Sequence, residues 1–121
     1  VKYLVFLFGL MFSCEQTSLP DLPDPEEAGW NGEKVCKVIE DSDEMRILRC
    51  TFAPGVGHEK HYHKPHVGYT VQGSRFKIVS ADEVREVDVP TGYTFSNDQV
   101  SVHEIINVGD STGVFLIIEP K

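Results

Sequence analysis

All five histidines of this 121-residue chain fall into two groups: His58, His61, His63 and His66 within nine residues, and His103 forty positions after His63. Neutral imidazole is a common ligand for divalent transition metals. A His-x-His pair on a β-strand sets both rings on one face, about 7 Å apart at the backbone, which suits adjacent positions on a single ion. A third ligand must then come from a neighbouring strand, and the run VHEIIN supplies His103. The expectation is a metal centre on His61, His63 and His103. The alternative, a set of surface or hydrogen-bonded histidines, leaves their clustering without a reason. His58, three positions before the pair, is expected at the rim. Glu59 and Glu104 either orient imidazoles by hydrogen bonding, as metal centres usually require, or remain solvated surface carboxylates.

Other chemistries have no support. There is no Ser-His-Asp set, phosphate-cradling loop or nucleotide fingerprint. Nineteen acids against eleven Lys and Arg give a net charge of -8, and no basic run appears, so the chain is not expected to bind nucleic acid.

Rigid elements must hold these histidines, and the pattern after residue 33 is all strands and turns. No segment carries apolar residues at helical spacing over three turns. Short β-rich runs recur instead: KVCKVIE, MRILRCTF, HVGYTVQ, SRFKIVS, EVREVDV, TGYTFS, VHEIIN and GVFLIIE. Eight or so short strands in under ninety residues imply a β-sandwich or small barrel, with one core and one domain over 34–121. The polar turn DSDE separates the first two runs. Centring a hairpin on Asp43 sets Glu40 against Arg46, Val38 against Leu48 and Cys36 against Cys50. The facing cysteines either form a disulfide in an oxidising compartment or stay reduced as small buried hydrophobes.

Residues 1–13 read as a signal segment: one cation, Lys2, then an apolar run, then small Ser13 before Cys14. They resemble a bacterial lipoprotein signal, which implies lipidation at Cys14 and a place in the cell envelope, in the periplasm or on the outer membrane. The apolar run of eleven residues falls short of the roughly 20 a membrane-crossing helix needs, so a lipid at Cys14 would be the only membrane attachment. Residues 14–33, rich in proline and acid and without a base, read as an extended linker. Trp30, at its end, is expected to dock on the domain or on a neighbouring subunit.

The histidine region resembles the cupin family. Its first motif, a glycine, five residues and then HxH, is matched by Gly55, His61 and His63, and its closing glycine by Gly73. For the second motif, Gly92 stands eleven positions before His103 and Asn107 four after it, with Asp98 and Val100 where the family has Pro and Gly. The resemblance implies an all-β jelly-roll barrel. At the position of the family's glutamate stands His66, after a spacer one residue shorter, in the variant form HxHxxHVxYxxxG followed by His103, Asn107, Gly109 and Asp110. Either His66 completes a four-nitrogen site with His61, His63 and His103, or the shortened loop swings it outward. Tyr69, Phe52, Phe76 and Phe95 are expected to fill the barrel, with Tyr69, Phe76 and Phe95 the ones that border a pocket. Arg75 is expected in solvent, or at the mouth if the substrate is acidic.

By resemblance, the protein is a metal-binding cupin with one divalent ion (Fe, Mn, Ni, Cu or Zn). It would act as a metal-dependent dioxygenase or isomerase on a small oxygenated molecule, or as a non-catalytic ligand- or metal-binding module of the envelope. A closed four-ligand tetrahedron would instead mark a structural metal. A homodimer is expected through open strand edges.

Overall fold

The computed structural model describes Gly9 and residues 18–121; apart from Gly9, the expected signal segment, and with it Cys14, lies outside the described residues. The elements are β1 (Gly29–Trp30), β2 (Glu33–Lys34), β3 (Cys36–Asp41), β4 (Met45–Phe52), β5 (Gly57–His63), β6 (His66–Gln72), β7 (Ser74–Val79), β8 (Val84–Val89), β9 (Thr94–Asn97), β10 (Ser101–Asn107) and β11 (Gly113–Pro120). There is no helix among the described residues.

Two antiparallel sheets form the jelly roll, one in the order β5-β10-β7-β8 and the other β3-β4-β11-β6-β9. Alternation sets the inner faces. On β4, Leu48, Cys50 and Phe52 are buried while Arg49 and Thr51 are exposed; on β6, His66, Gly68 and Thr70 are buried while Val67, Tyr69 and Val71 are exposed. Phe52, Phe76 and Phe115 meet edge to face at the centre, with ring centroids 5.2 to 6.0 Å apart. Cys36 pairs with Cys50 and Val38 with Leu48, as the hairpin arithmetic expects, and the two sulfurs are bonded. Glu40 does not face Arg46. A bulge between Val38 and Glu40 moves Asp41 into that place.

Residues 23–33, the latter part of the expected 14–33 linker, are not extended as their composition suggests; they form a strap docked on the barrel. Asp24 Oδ1 accepts the N–H groups of Glu26 and Glu27, which closes a turn. Its Oδ2 pairs with Arg46 at 3.0 Å, and Arg46 also meets Glu119 at 2.7 Å. Pro25 and Ala28 are buried, and Trp30 packs against the core. Asn31 and Gly32, at φ 50° and 82°, turn β1 back on β2. Asn-Gly is a strong hairpin signal. It was legible at Asn31, but a proline- and acid-rich composition masks it.

Candidate metal centre

β5 and β10 lie side by side with His61 opposite His103 and Ser101 opposite His63. This register brings three Nε2 atoms to one point: His61 to His63 is 2.8 Å, His63 to His103 is 3.1 Å and His103 to His61 is 3.2 Å. Among the described residues these three histidines form the cluster able to hold a metal ion. Two nitrogens bound at right angles to one ion with bonds of about 2.1 Å lie about 3.0 Å apart; at the tetrahedral angle they lie about 3.4 Å apart. The observed edges are short enough for one ion to accept all three nitrogens. His61, His63 and His103 would hold such an ion at the wall of the cavity that they line.

The protonation pattern also fits a cation. His61 Nδ1 donates to the Glu59 carbonyl at 2.6 Å, which makes its Nε2 a lone-pair donor. His63 Nδ1 is buried without a hydrogen-bond partner, a cost that no neighbouring side chain offsets. Burial pushes all three imidazoles toward the neutral, ligating form. His103 falls to about 3 through burial and then the neighbouring His61; His63 falls further, through burial and then His103; and His61 is lowered by burial against the opposing Glu59 carbonyl.

His66 opens β6 opposite Asn97 of β9, on the other sheet. The chain crosses between sheets in two residues, Lys64 and Pro65, so His66 is not swung outward: it is buried and lines the same cavity, its ring centroid 4.7 Å from that of His63. It nevertheless stands outside the three-nitrogen cluster. Its Nδ1 donates to the Lys64 carbonyl at 2.7 Å, leaving Nε2 as its free nitrogen.

His58 is not at the rim. It is 2% exposed, packed on His61 with ring centroids 3.8 Å apart and held by an Nε2 hydrogen bond to the Pro25 carbonyl at 3.1 Å. The cause is a register shift: His61 faces His103 but His58 faces Ile105, so Glu59 and Lys60 together oppose Glu104. This bulge puts residues three apart on the same face. The Glu59 side chain is exposed, and it is the backbone carbonyl of this residue that orients His61.

A cavity of about 550 Å³ extends from the triad between the sheets, walled by Ile78, Val87, Val89, Phe95 and Ile105. Phe76 and Phe95 border it as expected. Tyr69 does not: it is 42% exposed on the outer face of β6, and Gly68 faces inward. Phe95 lies across Gly68, where any Cβ would overlap its ring. Arg75 is held outside by Asp88 and Glu86. The basic residue that lines the cavity is Arg85, which was not singled out in the sequence although it shares the strand face of Val87 and Val89; its half-exposed side chain also meets Glu83.

The architecture has close counterparts among solved structures. A cupin domain from Bordetella pertussis superposes with a TM-score of 0.67 over 72% of this chain and 92% of its own, at 20% identity. The fold is that of the cupins. The polyketide cyclase RemF from Streptomyces resistomycificus matches with a TM-score of 0.59 (20% identity, 83% of this chain and 74% of that one). A predicted oxalate decarboxylase from Thermotoga maritima matches at 0.54 (16% identity, 71% and 79%). No protein-family model and no curated protein matches the sequence itself.

The cupin motif positions acquire physical roles here. Gly55 and Gly92, the first glycines of the two motifs, have φ of +81° and +85°, a conformation that strains any side-chain-bearing residue. Where Asp98 and Val100 replace the usual Pro and Gly, Asn97 Oδ1 accepts the Gln99 N–H and makes the turn. Asn107 is fully buried. Its Nδ2 donates to the carbonyls of Phe52 and Ser111, and its Oδ1 accepts from the Ser74 hydroxyl and the Gly109 N–H. It clamps the end of β10 rather than touching a metal.

Proposed function

We propose that this protein is a metal-dependent cupin that binds a small oxygenated molecule in the barrel and acts on it as a non-haem dioxygenase or isomerase. The observation that carries the reading is the triangle of three Nε2 atoms, with edges near 3 Å, facing a cavity of about 550 Å³. His61, His63 and His103 would hold one divalent ion from Fe, Mn, Ni, Cu or Zn, all of which accept imidazole. Such an ion would supply Lewis-acid or one-electron chemistry toward a substrate oxygen.

The chain's own residues do the rest. Phe95, Val87, Val89 and Ile105 exclude water and favour an apolar ligand body. His66, with its free Nε2, offers a hydrogen-bonding or proton-holding nitrogen beside the triad. Arg85, loosely paired with Glu83 at 3.4 Å, is the one Lys or Arg among the described residues lining the cavity, and it suits an acidic ligand group. That solved cupin folds include a polyketide cyclase and a predicted oxalate decarboxylase supports an oxygen-bearing ligand.

The proposal extends to an envelope location and a homodimer. The bonded Cys36 and Cys50 support an oxidising compartment, and the open outer edges of β3, β8 and β9 support pairing with a second copy. Light scattering tests the dimer. Metal analysis of protein purified without oxygen, followed by an oxygen-consumption and isomerisation screen, tests the activity. Stoichiometric metal with ligand binding but no turnover would make it a binding module of the envelope; absence of metal would overturn the reading.

A further inference from the structure

β5 carries two of the three triad histidines, yet it is an edge strand of its sheet. Its free side belongs to the strap. The Tyr62 N–H, between the two ligand positions, donates to the Pro23 carbonyl at 3.2 Å. The His58 Nε2 donates to the Pro25 carbonyl at 3.1 Å, and the ring of Trp30 lies so close over Gly57 that a Cβ there would meet it. The strap is fastened in turn away from the triad, through Asp24 to Arg46 and from Arg46 to the buried Glu119.

His58 connects the two. The Glu59 carbonyl holds His61 at Nδ1, but a single hydrogen bond leaves the ring room to pivot about that contact. The His58 ring, 3.8 Å away and inclined by 32°, covers the face of His61 and blocks that pivot. A purely apolar ring would pack there equally well, but it would leave the carbonyl of the buried Pro25 without its donor. A histidine at this position both covers His61 and reads whether the strap is in place.

We infer that His58 is a positioning residue that transmits docking of the 23–30 strap to His61, so that strap docking and metal binding are thermodynamically coupled. The inference rests on the triad's being a metal site. Coupling is reciprocal: a docked strap raises metal affinity, and bound metal stabilises the strap by the same factor.

The test is Co(II) titration of the full chain, followed by visible absorption, for wild type, His58→Phe, Asp24→Ala, the double variant and Val114→Ala. His58→Phe keeps the ring and loses the bond to Pro25. Asp24→Ala releases the strap at its far end. Val114→Ala disturbs a buried residue at the start of β11 that makes none of the strap's hydrogen bonds or ion pairs, and reports loss of stability alone. Each strap variant is expected to weaken Co(II) about tenfold, the low end of what removing a supporting partner of a metal ligand costs, and to shift the Co(II) absorption. The double variant should be within about twofold of the weaker single one, because both act through one element. Val114→Ala should bind as wild type does. Hydrogen exchange gives the reciprocal readout: Co(II) should slow the amides of Ala28 and Tyr62, which bond to Asp24 and Pro23, in wild type more than in either strap variant. Wild-type affinity in both strap variants, a tenfold loss in Val114→Ala, or no Co(II) effect on those amides overturns the inference. A wild type that binds no Co(II) overturns the triad reading itself, a separate outcome.

Discussion

His66 stands beside His63 with ring centroids 4.7 Å apart, although the two side chains project from opposing sheets. Because the donor cluster closes on His61, His63 and His103 without it, His66→Ala is expected to bind metal within about threefold of wild type. His66→Glu should behave likewise near pH 7.5. A loss of tenfold or more in the alanine variant, recovered by glutamate, would instead bring His66 into the ligand set, since a carboxylate can donate to a divalent ion and a methyl group cannot. Metal affinity of the three proteins at one pH decides between these.

The triad itself should behave differently. His61→Ala or His103→Ala is expected to reduce metal content to near zero while the far-ultraviolet spectrum keeps its β signature. The hydrophobic core, centred on Phe52, Phe76, Phe115 and Leu48, does not pass through either imidazole. Elemental analysis of the purified variants checks this, and stoichiometric metal in either one would remove the triad as the binding site.

What could be read from the residues was whatever obeys a strict period. His61 and His63 share a face because strand side chains alternate, and the eight apolar runs became strands for the same reason. The parity of β6 also places Tyr69 outside once His66 is inside, a step that the aromatic character of Tyr69 obscures. His58 lay beyond such reasoning. Its position depends on the bulge at Glu59 and Lys60, which resets the alternation and which no local signal announces. The strap was hidden differently: Asp24 is one acid among many until Arg46, 22 residues away in sequence, is seen to hold it.

Metal-free protein should lose stability in mild acid. The folded-state pKa values of His58 and His103 are both lowered to about 3, chiefly by burial and then by the neighbouring His61, whereas an unfolded histidine titrates at 6.5. Below pH 6.5 the unfolded chain therefore binds protons that the folded chain refuses, and stability falls with pH until the folded pKa is reached. Each such histidine contributes about 1.4 kcal/mol per pH unit across that window. Asp24, lowered by the Glu27 N–H and Arg46 against the opposing effect of burial, titrates below its ordinary 3.8 and adds nothing between pH 6 and 5. His58 and His103 together give a fall of about 2–3 kcal/mol over that single unit, to which His63, lowered further by burial and then His103, adds in the same direction. Urea unfolding with a chelator present should show at least that loss. A flat profile would mean that these imidazoles are not held neutral.

Asn107 should matter for the fold as much as any aromatic residue of the core. Its carboxamide uses both of its donors and its acceptor oxygen in four hydrogen bonds, joining β10 to the end of β4, the start of β7 and the turn before β11. Alanine would leave the carbonyls of Phe52 and Ser111, the Ser74 hydroxyl and the Gly109 N–H without this partner in a site that is fully buried. Unmade buried hydrogen bonds cost about 1–3 kcal/mol each, and some of these groups can turn toward water, so a loss of about 3–5 kcal/mol is expected. The Asn107→Asp variant would keep the acceptor side but lose both donors and set a carboxylate against two carbonyls, so it should be no better than alanine. Denaturant midpoints of the two variants measure this, and a midpoint for Asn107→Ala within about 1 kcal/mol of wild type would show that the clamp is dispensable.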